Sequence, residues 1–271
     1  MRRPIALALA MTLWAPALQA HEFWVEPLTY RVAPGAEVSI DLRVGQMLDG
    51  RSYPYLSPKF ARYQVTDASG VHDLSGIEGD LPSVVYKASV PGLHVIAYHA
   101  QPERLTYDSF QDFADFVVEE GLTSIVARHR ERGLPDTGFT EAYSRNAKAL
   151  VQVGPVMDGQ TDLVTGLPFE LVALENPYDR GVTLPVRLLW DGTQVPGAQV
   201  ALFWRNAAGA VERSTYITDM NGVISVPLGG GGTYLLSAVH LEETAAESGE
   251  VWHSTWASLT FGVTDADKPG G

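Results

Sequence analysis

The segment Glu37-Val38-Ser39-Ile40-Asp41-Leu42-Arg43-Val44 alternates polar and apolar side chains along its whole length. A period of two is typical of a β-strand that buries one face. The same pattern recurs downstream, and Pro91-Gly92 is typical of a hairpin turn. The first half of the chain is therefore predicted to be β-rich, with further strands at residues 29–32, 61–65, 83–90 and 93–99.

A second β module is predicted between residues 167 and 263. It contains short alternating runs separated by regular turns, which is typical of a β-sandwich. The predicted strands are residues 169–174, 183–190, 199–204, 214–218, 223–227, 233–240 and 255–263. The fold class predicted from the sequence is all-β, with two β-sandwich-like modules.

Residues 108–132 have helical rather than strand periodicity. Their apolar side chains recur every three to four residues, and Gly133 and Pro135 follow directly. The pattern predicts a small helical insertion near residues 108–132, made of two short helices that are broken near Gly121.

The segment that follows the helices joins the two modules. Residues 141–153 fit a helix or a strand, and the apolar end of the segment favours a strand. Residues 158–166 are polar and contain glycine, so they are predicted to be a linker. The predicted organisation is a signal peptide at 1–20, an N-terminal β-rich domain at 21–157, a C-terminal sandwich at 167–263 and a tail at 264–271.

The first twenty residues predict export. A basic start at Arg2-Arg3 precedes an apolar run at residues 5–18, and small residues follow at the end of that run. The run is too short to span a bilayer stably, so a signal peptide is favoured over a membrane anchor. Cleavage is expected after Ala20, with a second candidate cleavage site after Ala17, and the mature protein is expected in the periplasm.

Composition excludes several partners. The chain carries a formal charge of −13, and removal of the signal peptide makes that charge more negative. Nucleic acids and anionic membrane surfaces are bound through basic patches, so neither is expected as a partner. No later segment is apolar enough to insert into a membrane. The chain has no cysteine, so its stability must come from its core rather than from disulfides.

Four stretches of the C-terminal module share a distinctive order of strands and turns: residues 184–190, residues 192–200, Thr218-Asp219-Met220-Asn221-Gly222 and residues 232–238. Together they resemble the transthyretin-like or carboxypeptidase-regulatory-like sandwich. Asp219 to Gly222 predicts a tight turn, because asparagine and glycine tolerate positive φ. The four-glycine stretch at 229–232 is predicted to be a flexible turn.

A wider resemblance is carried by several stretches: His21-Glu22-Phe23-Trp24, residues 143–150, Leu167-Pro168-Phe169-Glu170-Leu171 with Asn176-Pro177, and Trp256-Ala257-Ser258-Leu259-Thr260-Phe261. They are similar to the NikM-like periplasmic family. Members are labelled as domains of unknown function or as periplasmic components of nickel or cobalt transport. The resemblance implies a transition metal as ligand and a membrane metal transporter as partner. Nickel members with histidine at the second mature position, after methionine, differ from this chain.

His21 is the strongest candidate for a metal ligand. Cleavage after Ala20 makes it the first mature residue, with an α-amine and an imidazole on one residue. The amine and Nδ1 can close a six-membered chelate on nickel, cobalt or copper. A second imidazole would complete a histidine brace, which suits copper(II). The competing interpretation is a histidine that merely follows the cleavage site.

The second ligand is open between several histidines. His94 and His99 lie five apart on one predicted strand, so they point to opposite faces and cannot chelate one ion together. Either can be the partner of His21. His240 and His253 are weaker candidates that can face each other across a hairpin. His72 and His129 are predicted to be solvated surface residues.

No catalytic motif accompanies these histidines. The sequence has no nucleophile elbow, no zinc-protease helix and no phosphate-binding loop, so no enzyme activity is predicted. Glu119-Glu120 is spaced like a solvated face. Arg145 and Lys148 interrupt an apolar segment, and salt bridges to Glu141 or Glu170 are expected.

Three hypotheses therefore stand. The first is a periplasmic protein that binds a divalent transition metal through His21, for capture or handover to a transporter. The second is a structural or interaction protein of the cell envelope that binds no metal. The third is a copper protein in which a histidine brace is redox-active.

Overall fold

The computed structural model describes residues 21–179, 181–245 and 249–264. The predicted signal peptide, its cleavage site and nearly all of the predicted tail lie outside these residues. The described chain is mainly β with two α-helices, which confirms the predicted all-β class. Within these ranges, neither helix is long and apolar enough to cross a bilayer.

The strands of the first half are β1 (Glu22–Pro27), β2 (Arg31–Val32), β3 (Ala36–Gln46), β4 (Asp49–Tyr53), β5 (Phe60–Asp67), β6 (Gly70–Asp73), β7 (Val84–Ala88), β8 (Gly92–Ala100), β9 (Glu103–Tyr107) and β10 (Phe139–Val153). The strands of the second half are β11 (Phe169–Ala173), β12 (Thr183–Trp190), β13 (Thr193–Gln194), β14 (Gln199–Asn206), β15 (Val211–Ile217), β16 (Val223–Pro227), β17 (Gly232–Glu243) and β18 (Trp252–Val263). A short 3-10 helix, Ser57–Lys59, precedes β5.

The helical insertion has the predicted form. Helices α1 (Phe110–Glu119) and α2 (Ser124–Glu131) are separated at Gly121, whose φ of +76° favours glycine. Ser109 begins α1, because its hydroxyl oxygen accepts a hydrogen bond from the Gln111 backbone N–H. The ambiguous segment 141–153 belongs to β10, a single strand of 15 residues.

A ten-stranded sheet forms the centre of the molecule. Its main path runs β15-β14-β17-β18-β10-β8-β5-β6, with β2 and β9 also paired to β10. A four-stranded sheet contains β1, β3, β4 and β7, and another contains β11, β12, β13 and β16. The central sheet joins the two halves of the chain, because β10 pairs in parallel with β18 from Glu141↔Trp252 to Ala149↔Thr260.

Alternation along β18 shows how the layers are arranged. Ala257, Leu259 and Phe261 lie in a core shared with β11, β12 and β16. Trp252 and Trp256 point to the opposite face and pack against α1 and α2. The central sheet is therefore covered on both faces, and two sandwich layers share it.

The β1–β3–β4–β7 sheet covers the N-terminal part of the central sheet. Phe23 and Val25 of β1, Ile40 and Leu42 of β3, and Tyr98 of β8 belong to the core between them, which we call the N-core. Trp24 points the other way and packs with Phe203 and Leu235 of the second half. All six residues of β1 are buried, so this strand is held on both faces.

His129 is a correction to the sequence analysis, because it is fully buried rather than solvated. Trp252 Nε1 donates a hydrogen bond to His129 Nδ1 over 3.0 Å, and His129 Nε2 lies 3.0 Å from the Pro135 carbonyl oxygen. The rings of Phe110 and Phe139 lie within 5 Å of its ring. Both nitrogens are engaged, so His129 fastens the helices to the central sheet.

The two predicted turns of the second module have different outcomes. Asp219 Oδ1 accepts hydrogen bonds from the Asn221 and Val223 backbone N–H groups, and Gly222 has φ +70°, which confirms the tight turn. The flexibility of the glycine stretch 229–232 stays a prediction, and one of its residues is closely packed. Gly230 packs so closely on the Trp204 ring that an added Cβ would lie 2.6 Å from it.

Candidate functional site

A cavity of about 380 Å³ lies where the N-core meets the helical face of the central sheet, and we call it the His21 cavity. Its apolar wall includes Phe23, Tyr98 and Trp256. Its polar lining comprises His21, Lys59, Gln101, Glu103, Tyr143 and Arg145. The volume falls in the range of small-molecule sites, which is roughly 300–1,000 Å³.

Strand pairing places His21 in the lining of this cavity. His21 immediately precedes β1, and β1 pairs antiparallel with β3 from Glu22↔Gly45 onward. Because side chains alternate along a strand, His21 lies on the side of Phe23, which faces the N-core. The Phe23 and Tyr98 ring centroids are 5.0 Å apart and form the aromatic floor.

One wall of the cavity is a hydrogen-bonded chain of polar groups. Tyr143 of β10 is paired with Glu103 of β9, and its hydroxyl donates to Glu103 Oε2 over 2.6 Å. Lys59 Nζ donates to the other oxygen, Oε1, over 2.7 Å. Burial alone would raise the pKa of Glu103, but the hydrogen bonds from Lys59 and Tyr143 outweigh it and lower that pKa. Glu103 is therefore a fully engaged carboxylate.

Arg145 lies between this wall and His21. Its guanidinium is 4.6 Å from the centre of the Tyr143 ring and 5.7 Å from that of Phe23. Its Nη2 atom is 3.5 Å from the His21 carbonyl oxygen. Among the residues that the structure describes, no carboxylate lies within ion-pair distance of Arg145, so the salt bridge expected to Glu141 or Glu170 is formed by Lys148, with Glu170, and not by Arg145.

The His21 imidazole carries an unpartnered nitrogen. Its Nδ1 is shielded from solvent and has no hydrogen-bond partner among the described residues. Burial, and then the nearby Arg145 charge, lower the pKa of His21. The imidazole is therefore neutral at pH 7, which is the form that ligates metals.

His94 lies away from the His21 cavity, in the N-core. It is almost fully buried, its Nδ1 is 3.1 Å from the Tyr86 hydroxyl, and its Nε2 is 2.8 Å from the Val90 carbonyl oxygen. Burial lowers the pKa of His94 despite the Asp67 carboxylate 3.9 Å away. Both ring nitrogens of His94 are thus engaged within the fold.

His99 lies on the same strand as His94 but on the other face. Its neighbours Tyr98 and Ala100 line the His21 cavity, so the alternation of β8 directs His99 away from it. His99 is paired with Arg62 of β5, and burial followed by the Arg62 charge lowers the pKa of His99. The structure therefore does not bring His99 beside His21.

His240 and His253 share one face of the central sheet. His240 is opposite Thr255, and Glu242 is opposite His253, so the two histidines occupy diagonal positions. The His240 and Trp190 ring centroids are 4.2 Å apart with the ring planes tilted by 45°, and His253 Nε2 is 3.0 Å from the Ser144 hydroxyl. Across the described ranges, no three His, Asp or Glu side chains converge as a metal-binding group.

Glu22, the first residue of β1, lies on the face opposite His21 and close to the predicted solvated pair Glu119-Glu120, of which Glu119 is exposed and Glu120 is half-buried. Burial raises the pKa of Glu22 to about 7. Burial, and then the Glu22 and Glu119 charges, raise the pKa of Glu120 to about 8. Glu120 therefore sits in a desolvated acidic neighbourhood at the end of α1 rather than on an open surface.

Sequence reasoning found His21 but missed the rest of the cavity. Lys59, Glu103 and Tyr143 come from three separate elements, and their meeting depends on strand pairing that has no local signal. Arg145 did carry a signal, since a charged residue in an apolar strand is unusual. The structure assigns it to the cavity wall rather than to a salt bridge.

Two solved structures align over most of the chain. A tetra-tandem repeat from the extending region of a large adhesion protein is 15% identical, covering 91% of this chain and 50% of that one, with a TM-score of 0.23. The D0-D1 domain of intimin is 11% identical, covering 89% of this chain and 97% of that one, with a TM-score of 0.21. The chain thus spans half the length of the adhesion-protein structure. At these TM-scores neither likeness bears on function.

No protein of curated function matches the chain. A family model described as a domain of unknown function, DUF4198, matches residues 18–242. The match includes His21, every other wall residue of the cavity up to Arg145, and most of the central sheet. The chain therefore belongs to the DUF4198 family.

Proposed function

We propose that this protein is an exported, periplasmic transition-metal-binding protein that captures a metal or hands it to a membrane transporter, with His21 as the anchor ligand. One observation carries the proposal: His21 Nδ1 is a neutral, buried nitrogen with no partner among the described residues. A buried polar atom without a partner costs about 1–3 kcal/mol, and a bound metal removes that cost.

The unpartnered nitrogen is the one that the chelate requires. After cleavage behind Ala20, the α-amine and Nδ1 of His21 close a six-membered ring around a metal. The free amine has a pKa of about 8, so a metal displaces its proton readily near neutral pH. Nitrogen ligands of this kind suit nickel(II), cobalt(II) and copper(II), with copper(II) bound most tightly.

The resemblances noted in the sequence support the same function. The NikM-like segments beginning at His21 imply a role in nickel or cobalt transport. The transthyretin-like segments of the second half imply a scaffold of sandwich type. In that role, a metal held by the two nitrogens of one residue keeps other coordination positions for exchange with a carrier or transporter.

The test begins with the mature protein. Mass spectrometry of the exported chain is expected to give a first residue of His21. Copper(II), nickel(II) and cobalt(II) are then titrated into that form by calorimetry. We expect submicromolar binding of copper(II) at least, because chelation by an amine and an imidazole adds two strong nitrogen donors.

Matched variants separate the anchor from other histidines. His21→Ala, and a form with two extra residues before His21, are expected to weaken binding at least a hundredfold, since each removes part of the chelate. The control is His72→Ala, which removes a half-exposed imidazole far from the cavity. A mature chain that begins at Leu18, or equal binding by wild type and His21→Ala, would refute the proposal.

A further inference from the structure

The His21 cavity has a second property that metal binding does not use, which is the charge of Arg145. The guanidinium lies on aromatic rings, half-buried, and its Nε has no partner among the described residues. An arginine is always charged, and its planar fork matches a carboxylate. A partly desolvated guanidinium without a counter-ion is costly unless an anion binds to it.

The Arg145 charge helps to lower the pKa of Glu103 and opposes the rise that burial causes in the pKa of Glu141, but neither carboxylate forms an ion pair with it. Both oxygens of Glu103 are occupied, one by Lys59 and the other by Tyr143. Both oxygens of Glu141 are occupied by Tyr107 and Ser254, and burial raises the pKa of Glu141 to about 7. Each acid therefore already has its partners, and the charge of Arg145 remains available to the cavity.

The charged side chains of the lining make the cavity positive, although the protein as a whole is acidic. Lys59 and Glu103 compensate each other as an ion pair, and the Arg145 guanidinium adds a positive charge that no described carboxylate pairs with. The whole chain carries −13, so this pocket differs in sign from the molecule around it. A local positive field inside low-dielectric walls attracts anions into the pocket.

The rest of the wall is apolar and aromatic. Phe23, Tyr98 and Trp256 line it together with aliphatic residues: Leu42, Val44, Leu56, Ala100 and Leu105. Such a surface favours a ligand with an apolar body rather than a fully hydrated inorganic ion. The volume of about 380 Å³ exceeds what one metal ion needs.

We infer that the His21 cavity binds a small organic carboxylate, whose carboxylate group contacts Arg145 and whose apolar or aromatic body lies against Phe23, Tyr98 and Trp256. This site stands apart from the metal proposal, because it uses Arg145 and the aromatic wall and requires neither the α-amine nor Nδ1 of His21.

The test uses the mature protein freed of metal with a chelator, and two probes of the same shape. 4-Phenylbutyrate carries the carboxylate, and 4-phenylbutyramide replaces it with a neutral amide. The acid is expected to bind with a Kd below ~1 mM, an affinity within reach of a ligand with so few atoms. The amide is expected to bind at least tenfold more weakly. This ratio is measured on the wild-type protein by ligand-observed NMR or calorimetry, so it does not depend on any variant folding.

Arginine variants locate the carboxylate. Arg145→Gln is expected to abolish the preference for the acid, while Arg145→Lys keeps part of it as a point charge. The control is Arg104→Gln, which removes a mostly exposed guanidinium one residue from Glu103 and outside the cavity lining. Arg104→Gln is expected to leave both affinities unchanged.

Several results would overturn the inference. These are equal binding of acid and amide, no binding of the acid up to ~10 mM, or an unchanged preference in Arg145→Gln. Binding of the acid only when nickel(II) or copper(II) is present would put the carboxylate on the metal, which also overturns it. The acid preference persisting in His21→Ala would support the inference even where metal binding had failed.

Discussion

Replacement of Lys148 by methionine is expected to destabilise the protein strongly. Lys148 is fully buried, and its Nζ lies 2.9 Å from Asp162 Oδ2 and 3.5 Å from Glu170 Oε2. It also donates to the Leu163 carbonyl oxygen over 2.9 Å. The ammonium therefore ties the segment between β10 and β11 to the core. Methionine keeps the length and apolar stem of lysine but removes the charge, both hydrogen bonds and the ion pair with Glu170.

The magnitude follows from what remains after the substitution. Breaking a buried ion pair costs about 3–5 kcal/mol, because the partner charge is left uncompensated. Asp162 keeps hydrogen bonds from the Ala173 and Leu163 backbone N–H groups, and Glu170 keeps those from Thr165 and Gly166. We therefore expect the lower end of the range, about 3 kcal/mol.

Protonation of Asp162 limits the loss further. Burial raises the pKa of Asp162 even though Lys148 opposes that shift. Without Lys148 the pKa rises more, so the carboxyl takes up a proton instead of remaining a bare buried charge. The destabilisation is consequently expected to be smaller at pH 5 than at pH 8, since protonation is easier at low pH.

The assay is urea unfolding followed by tryptophan fluorescence, together with calorimetry. For a protein of this size, 3 kcal/mol corresponds to a fall in Tm of about 6–12 °C. The control is Lys87→Met, because Lys87 is exposed on β7 and its loss is expected to cost under ~0.5 kcal/mol. The double variant Lys148→Met with Asp162→Asn is expected to recover part of the stability, since one unpaired acid is removed.

Equal stability of Lys148→Met and Lys87→Met at pH 8 would refute this reasoning. A double variant less stable than Lys148→Met alone would show that Asp162 stabilises the fold through its backbone hydrogen bonds rather than through the lysine. Comparing the single and the double variant therefore separates the ion pair from the other roles of the Asp162 carboxylate.

Two further predictions concern stability. Burial raises the pKa of Glu141 from 4.5 to about 7, so the folded state binds more protons at this residue and loses stability as the pH rises from 4.5 to above 7. Glu141→Gln lacks this loss, so its free energy of unfolding, measured in urea, is expected to rise relative to that of the wild type by up to ~3 kcal/mol between pH 5 and pH 8. A difference between the two proteins that is the same at both pH values would contradict this prediction. Gly230→Ala is expected to destabilise the folded protein by ~1–3 kcal/mol, because the new Cβ would lie 2.6 Å from the Trp204 ring. Gly229→Ala is the control, because a Cβ at that position meets open space. Equal Tm values for the two variants would contradict the predicted clash.

The sequence predicted most of the local elements correctly. The period of two in residues 37–44 lies within β3, and the helical spacing of residues 108–132 gave α1 and α2 with their break at Gly121. Two strands, Thr183–Trp190 and Val223–Pro227, have the predicted ends. These features depend on neighbouring residues only, which is why periodicity and turn residues suffice for them.

Burial of polar residues was harder to predict. His129 stands between two arginines, which indicates a solvated residue, yet the ring lies among aromatic side chains of α1 and the central sheet. Arg145 and Lys148 were expected to form salt bridges to Glu141 or Glu170; Lys148 forms the one to Glu170, and the structure adds Asp162 as its nearer partner. Such partners come from elements distant in sequence, so local pattern does not identify them.

The sequence by itself determined most of the strands, the helix pair, the tight turn at Asp219–Gly222 and the choice of His21 as the anchor candidate, because each is a property of adjacent residues. The predicted hairpin at Pro91-Gly92 is not formed, because β7 pairs with β3 and β8 pairs with β5 and β10 in a different sheet. Only the tertiary structure decided that both sandwich layers share one ten-stranded sheet. Only it decided that Arg145 meets Lys59, Glu103 and Tyr143 around a cavity beside His21. The physical reason is that the parallel pairing of β10 with β18, like the pairing of β10 with β9, joins segments far apart in the chain whose relative position no local periodicity encodes.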